Sequence, residues 1–227
     1  MEGTSDRNKW IALAGFALVV TGIVAAILIG RGGEDDGDAT TAATAGGCEQ
    51  VAAPKPKRIS FEAVERTVKE GEALTAVVET SCGRFEIALD SKRAPRTVES
   101  FVFLAEKGFY DGQAFHRIIP GFVVQGGDPL GTGSGGPGYS VDEKPPANLA
   151  YTRGVVAMAK SEAEPPGRSG SQFFVVVGAD AGLTPEYALV GRVDEGMDVV
   201  ERISRLGTPQ GTPKQVVLIE DVSIERG

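Results

Sequence analysis

Apolar and polar residues alternate along much of the chain after residue 73, which is the period of two expected of half-buried β-strands. The clearest examples are Ala76–Thr80 and Arg84–Leu89, which flank a short turn at residues 81–83 and predict a hairpin. The remaining predicted strands are Ala114–Ile119, Phe122–Gln125, Val155–Ala159, Gln172–Val177, Ala188–Val193 and Gln215–Ile224. Strands therefore dominate the predicted fold.

Two segments instead show the three- and four-residue spacing of an amphipathic helix. The first follows Pro95, has Thr97 as its predicted N-cap and ends at Gly108, and the second spans Gly196–Arg205. Eight short strands and two helices predict a mainly β fold, in which a closed eight-stranded antiparallel barrel is capped by the two α-helices.

The N-terminal region has a different pattern, because residues 10–30 carry no charge and only one polar side chain, Thr21. At 1.5 Å per residue this stretch reaches ~30 Å, about the thickness of a bilayer core. Arg7 and Lys9 precede it and acidic residues follow it, so the positive-inside rule places residues 1–9 in the cytoplasm and the rest outside. The expected protein is anchored in the cell membrane by a single transmembrane helix, with a cleaved signal peptide as the alternative.

The composition between the anchor and the strands is that of a connecting segment. Residues 31–58 are rich in Gly, Ala, Thr, Pro and charge, and we expect a disordered linker there. Residues 59–73 are expected to form an extended arm or a short helix, and residues 74–227 a globular domain that we expect to be monomeric. The net charge of −8 argues against a nucleic-acid-binding surface.

The candidate chemistry lies in two stretches, FHRIIPGFVVQGGDP (115–129) and SGSQFFVV (169–176). The chain has a single histidine, His116, which we interpret as a packed strand residue, so a histidine-rich metal site is excluded and we expect neither a metal nor another cofactor. Arg117 follows it within an apolar strand. An arginine is costly to bury there without a partner, so it either points to solvent or has a function.

These two stretches resemble the signature stretches of the cyclophilin family, the peptidyl-prolyl cis–trans isomerases, and suggest a bacterial, membrane-anchored member of it. The resemblance covers residues 74–226 and implies a barrel in which Arg117 is catalytic. The positions that match the proline pocket are Phe122, Val123, Phe174 and Leu183. Those that match the backbone-gripping positions are Gln125, Ala159, Lys160 and Gln172, and Tyr187 falls where many members carry histidine.

The resemblance implies an enzyme that accelerates rotation about X-Pro bonds in exported or extracytoplasmic polypeptides, with Arg117 hydrogen bonded to the prolyl nitrogen. Its partners would be proline-containing polypeptides and, through the N-terminal helix, the membrane. Two other hypotheses remain open: a peptide-binding or chaperone module with little or no turnover, and a membrane scaffold that uses the barrel as a spacer.

Cys48 and Cys82 are the only cysteines of the chain. If the domain lies outside the cytoplasm, both thiols are in an oxidising compartment where disulfides persist. We therefore predict a bridge between them, which requires the segment after Cys48 to fold back on the domain. Two unpaired thiols are the alternative.

Overall fold

The computed structural model of the protein describes residues 47–64 and 67–227, and most of the regular structure in this part of the chain is β. The strands found there are β1 (Leu74–Thr80), β2 (Gly83–Leu89), β3 (Gln113–Ala114), β4 (Arg117–Ile119), β5 (Val123–Gly126), β6 (Val141–Asp142), β7 (Val155–Met158), β8 (Arg168–Ser169), β9 (Phe173–Val176), β10 (Leu189–Glu195) and β11 (Leu218–Arg226). Nine of them form one antiparallel sheet in the order β3-β11-β1-β2-β10-β7-β9-β5-β4, and β6 pairs with β8. The predicted mainly β fold is confirmed.

The predicted closure into an eight-stranded barrel is wrong, because the nine-stranded sheet is open. Its end strands, β3 and β4, are two and three residues long, and only Phe115 and His116 separate them along the chain. β3 pairs with β11, a pairing that the Phe115 N–H extends by donating to the Val217 carbonyl, whereas β4 pairs with β5. β3 and β4 follow each other in one extended segment and do not pair with each other. The sheet therefore does not close and is a half-barrel. The predicted strand Ala114–Ile119 is divided between its two edges.

Both predicted helices are present, as α1 (Pro95–Glu106) and α2 (Met197–Ser204). The predicted N-cap is wrong, since Ala94 occupies that position and Thr97 lies in the first turn of α1. The Thr97 hydroxyl and N–H donate to a carboxylate oxygen of Glu143 at 2.6 and 2.7 Å. A loop carboxylate thus satisfies a helix N-terminus that has no side-chain cap of its own.

The core lies between the concave face of the sheet and the helices. α1 contacts β10 and β11, and α2 contacts β2, β4 and β5. The Phe173 ring, on β9, lies 5.5 Å from the Phe101 ring and 5.6 Å from the Tyr110 ring, edge to face. Every residue of β9 is buried, so this strand is packed on both faces and gives the adjoining surface a rigid base.

The N-terminal part of the described chain lies against this domain. Residues 47–64 contain no helix or strand, and the predicted short helix is absent from the described part of 59–73. The predicted disulfide joins Cys48 to Cys82. No helix within the described residues is long and apolar enough to cross a bilayer. The predicted anchor at 10–30, with its flanking residues, lies outside them.

Candidate active site

An open groove with a volume of about 550 Å³ lies at the end of the sheet where β4, β5 and β9 are neighbours. The groove brings together most of the predicted site residues: Arg117, Phe122, Val123, Gln125, Ala159, Lys160, Phe174, Leu183 and Tyr187. The remaining one, Gln172, lines an adjoining groove of about 710 Å³ that also includes Gln125, Ala159 and Lys160. The structure therefore gathers residues from across some seventy positions of the sequence into one surface.

Strand register explains how the central residues meet. Arg117 on β4 is directly opposite Gln125 on β5, and Gln125 is opposite Phe174 on β9. Directly opposite residues of antiparallel strands project from the same face of the sheet. The three side chains consequently form a row across the groove, and a one-residue slip of β5 would turn Gln125 to the other face.

Arg117 is half-buried and held by a polar and an aromatic neighbour. Its Nη1 donates to the Gln125 Oε1 at 3.1 Å, and its Cζ lies 5.8 Å from the centre of the Phe122 ring. Within residues 47–64 and 67–227, no carboxylate forms an ion pair with this guanidinium. Several of its N–H donors are thus available to a ligand in the groove.

The loop after α2 supports Arg117 from behind, a feature that the sequence reasoning missed. Gly211 has φ of +90°, and a Cβ there would lie 3.0 Å from the Arg117 Cγ. The Gly211 carbonyl accepts from the Ile118 N–H at 2.8 Å, which ties this loop to β4. The Thr-Pro-Gln-Gly-Thr-Pro composition of residues 208–213 signals a turn, but its approach to Arg117 depends on the packing of α2.

The floor of the groove is apolar and aromatic. Val123 and Phe174 are buried in a cluster against which Phe122, Leu183 and Tyr187 pack. The Phe174 and Tyr187 rings meet edge to face at 5.6 Å. This floor offers a shallow site for a small saturated ring, with the Arg117 guanidinium at its edge.

A buried tyrosine fixes the position of Tyr187. The Tyr151 hydroxyl donates to the Tyr187 carbonyl at 2.6 Å and accepts from the Tyr187 N–H at 2.9 Å. Burial raises the pKa of Tyr151 to about 12, so the hydroxyl keeps its proton and remains a donor at any physiological pH.

The side chain of Lys160 is engaged by the protein. Its Nζ lies 3.4 Å from a carboxylate oxygen of Glu186 and 5.6 Å from the centre of the Tyr187 ring, and it donates to the Glu164 carbonyl at 3.2 Å. The ammonium is therefore occupied within the protein, and the predicted backbone-gripping role of this position stays a prediction.

Two glutamines connect Arg117 to a glycine-rich loop, residues 129–138. The Gln125 amide donates to the Gln172 Oε1 at 3.1 Å, and the Gln172 amide donates to the carbonyls of Gly133 and Gly135 at 3.0 Å each. The amide groups are thereby oriented so that Gln125 presents its oxygen to Arg117.

Asp128, also missed by the sequence reasoning, fastens the start of this loop. Its buried carboxylate accepts from the N–H groups of Leu130 and Thr132 at 2.8 Å each, and from the Gly133 N–H. Burial by itself would raise the pKa of Asp128, but these backbone donors outweigh it and lower the pKa. The carboxylate is therefore ionised at neutral pH. The Gly-Gly-Asp-Pro sequence signals a turn, but not that its carboxylate would be buried.

The interpretation of His116 as a packed strand residue is wrong, because His116 lies between β3 and β4, is half-buried and lines the groove. Its Nε2 lies 3.4 Å from the Gln125 Nε2. Burial lowers the pKa of His116, and the positive charge of Arg117 lowers it further against the opposing effect of Asp128. The ring is neutral at pH 7 and leaves Arg117 as the cation at this end of the groove.

The arrangement suits a reaction that requires a positioned cation and an apolar seat. No group of three or more His, Cys, Asp and Glu side chains within the described residues is placed to bind a metal ion. A guanidinium with free donors beside a proline-sized apolar floor can stabilise a lone pair that develops on a ring nitrogen.

Comparisons with known proteins point the same way. The family model of the cyclophilin-type peptidyl-prolyl cis–trans isomerases matches residues 75–224. The chain is 40% identical to peptidyl-prolyl cis–trans isomerase B of Streptomyces anulatus, over 68% of this chain and 98% of that protein. It is 39% identical to peptidyl-prolyl cis–trans isomerase A of Mycobacterium tuberculosis, over 66% of this chain and 91% of that protein. A cyclophilin-type isomerase of Cryptosporidium parvum, solved in the presence of the dipeptide Ala-Pro, superposes with a TM-score of 0.62 at 29% identity, covering 67% of this chain and 99% of that one.

Proposed function

The chain belongs to the cyclophilin-type peptidyl-prolyl cis–trans isomerases, and we propose that it rotates X-Pro bonds by hydrogen bonding Arg117 to the prolyl nitrogen. Rotation about a peptide bond faces a barrier of ~18–20 kcal/mol, because the nitrogen lone pair is delocalised into the carbonyl. In the twisted state that lone pair is localised on nitrogen. A guanidinium donor then binds the twisted state more strongly than either planar isomer, and this difference lowers the barrier.

The position of Arg117 is the single observation that carries the proposal. The guanidinium lies above the Phe122 ring, is oriented by the Gln125 oxygen and retains free donors over the apolar floor. Because the floor excludes water from one side, a charge-assisted hydrogen bond made there is stronger than in bulk solvent. The proline ring stays seated on the floor while the carbonyl before it swings. No proton transfer is needed.

An isomerase assay on the full chain tests this function. We expect the wild type to accelerate interconversion of a peptide with one Ala-Pro bond, and Arg117→Ala to lower kcat/KM at least about tenfold, or about 1.4 kcal/mol of transition-state stabilisation. Arg117→Lys should restore little, because an ammonium lacks the planar fork of donors. Arg205→Ala, which removes an exposed arginine after α2, is the matched control and should match the wild type.

The outcome also separates the enzyme from a binding module. A wild-type chain that binds the peptide without accelerating its rotation would identify a peptide-binding or chaperone module. Equal activity in Arg117→Ala and the wild type would refute the proposed role of the guanidinium.

The proposal extends to the place where the enzyme works. The uncharged stretch at residues 10–30, with basic residues before it, supports a membrane anchor that holds the domain outside the cytoplasm. The Cys48–Cys82 bridge also supports a location outside the cytoplasm, since structural disulfides persist in oxidising compartments. Exported polypeptides with X-Pro bonds would then be the substrates. Protease added to intact protoplasts should remove the domain from the membrane fraction, and complete protection would contradict this orientation.

A further inference from the structure

The glycine-rich loop forms one side of the groove but has little structure of its own. Five of its ten residues are glycine, and Thr132 and Gly133 line the groove directly. Glycine loses more conformational freedom on folding than any other residue, so a loop of this composition is held in one conformation only by outside contacts. Asp128 holds its first half from within the domain.

A second support comes from the segment before the domain, residues 47–64, which we call the strap. The Lys57 N–H donates to the Pro129 carbonyl at 2.8 Å, and the Phe61 N–H donates to the Pro137 carbonyl at 2.8 Å. These two bonds bracket the part of the loop that contains Gly133 and Gly135, the acceptors for Gln172. The strap thus holds both ends of the span that orients the glutamines next to Arg117.

Close packing accompanies these bonds. A Cβ at Gly138, where φ is +90°, would collide with the Ser60 Oγ. The cavity left between residues 54–57 and the loop's first residues has a volume of only about 30 Å³. The strap and the loop are therefore in direct contact.

The strap is itself fastened to the core at both ends. The Cys48–Cys82 disulfide fixes its start to the β1–β2 turn, where the Glu49 N–H also donates to the Ser81 carbonyl at 2.7 Å. Near its end the Phe61 ring packs edge to face on the Phe103 ring of α1 at 5.2 Å. The strap lies outside the matched family region, which begins at residue 75.

We propose that the strap positions the catalytic groove: it fixes the glycine-rich loop from outside, and the loop fixes Gln172, Gln125 and Arg117 in turn. Phe61 is a positioning residue, and the Cys48–Cys82 bridge holds the strap in register. The expected effect of the strap on catalysis rests on the proposed function of Arg117. The expected effect of the strap on the conformation of the glycine-rich loop is independent of that function.

Amide hydrogen exchange of the full chain tests the effect on the loop. The N–H groups of Leu130, Gly131, Thr132 and Gly133 are all hydrogen bonded to Asp128 and should be protected in the wild type. In Phe61→Ala and in the double variant Cys48→Ser/Cys82→Ser, these amides should exchange at least about fivefold faster, because the loop opens more often. Phe61→Leu, which keeps an apolar side chain, should recover most of the protection.

A matched control separates positioning from general stability. Val78→Ala removes core volume from β1, on the far side of the sheet, and should lower the unfolding temperature without changing exchange in the loop. On an Ala-Pro peptide, the strap variants should lose about threefold in kcat/KM, mainly through a higher KM, while Val78→Ala keeps its kcat/KM.

Unchanged exchange at residues 130–133 in both strap variants would overturn the proposal. So would a loss of protection in Val78→Ala as large as that in Phe61→Ala. If the wild type has no isomerase activity, the proposed function fails, and the exchange experiment still decides whether the strap holds the loop.

Discussion

The two sides of the groove are held in different ways. The strand side, formed by β4, β5 and β9, is fixed by main-chain pairing, and most of its residues are buried. The loop side, residues 129–138, has no strand, and half of its residues are exposed. Its conformation depends on hydrogen bonds to the Asp128 carboxylate, on hydrogen bonds from the Gln172 amide and on two main-chain hydrogen bonds from the strap.

The difference indicates a division of roles. The strand side carries Arg117 and the buried part of the apolar floor, Val123 and Phe174, so it holds groups that touch the substrate in the proposed reaction. The loop side orients those groups through Gln172 and Gln125. Damage to the strand side should remove the rate enhancement, whereas damage to the loop side should weaken positioning and raise KM.

The largest effect is expected from Phe122→Ala, in the turn that joins β4 to β5 on the strand side. The change removes the ring under the guanidinium and part of the proline seat. Burying a side chain of this size is worth ~1.5–3 kcal/mol, so kcat/KM should fall by roughly 10–100-fold. Phe122→Leu is the matched control and should retain most of the activity. A value for the Ala variant within about twofold of wild type would show that the ring plays no part in the reaction.

A smaller effect is expected on the loop side, from Asp128→Asn. The amide replaces one acceptor oxygen with a donor that faces backbone N–H groups, leaving a buried donor unpaired at a cost of about 1–3 kcal/mol. We expect KM to rise about three- to tenfold with kcat nearly unchanged. Asp194→Asn, at an exposed position of β10, provides the control. A fall in kcat with unchanged KM would contradict the separation of roles.

The smallest effect concerns His116, between the two sides. Its pKa is lowered in the folded protein, so below about pH 6.5 the unfolded chain takes up a proton that the folded chain does not. Stability should therefore be full above that pH and decline as the pH falls toward the folded-state pKa. Urea unfolding of wild type and His116→Asn at about pH 7.5 and about pH 5.5 isolates this contribution. If the free energy of unfolding of His116→Asn fell more between these two pH values than that of the wild type, the assigned contribution of His116 would be wrong.

The strand side was also the more predictable part of the molecule. The alternation of residues 122–125 and 172–177 predicted strands that the structure contains as β5 and β9, because burial of a strand is encoded locally. The opening of the sheet between β3 and β4 was not predictable. It depends on the pairing of β3 with β11 and of β4 with β5, and these partners are distant from each other in the sheet. The loop side was missed for a related reason: nothing local indicates that Asp128 is buried or that the strap reaches Pro137.

The most direct test of the account measures binding and rotation separately on one peptide. NMR exchange spectroscopy on a peptide with a single Ala-Pro bond gives both its Kd and the rate of cis–trans interconversion of the bound peptide. If Arg117 acts on the twisted state, Arg117→Ala should change Kd by less than about threefold and slow the interconversion at least about tenfold. A bound peptide that rotates as fast on Arg117→Ala as on the wild type would contradict the central claim.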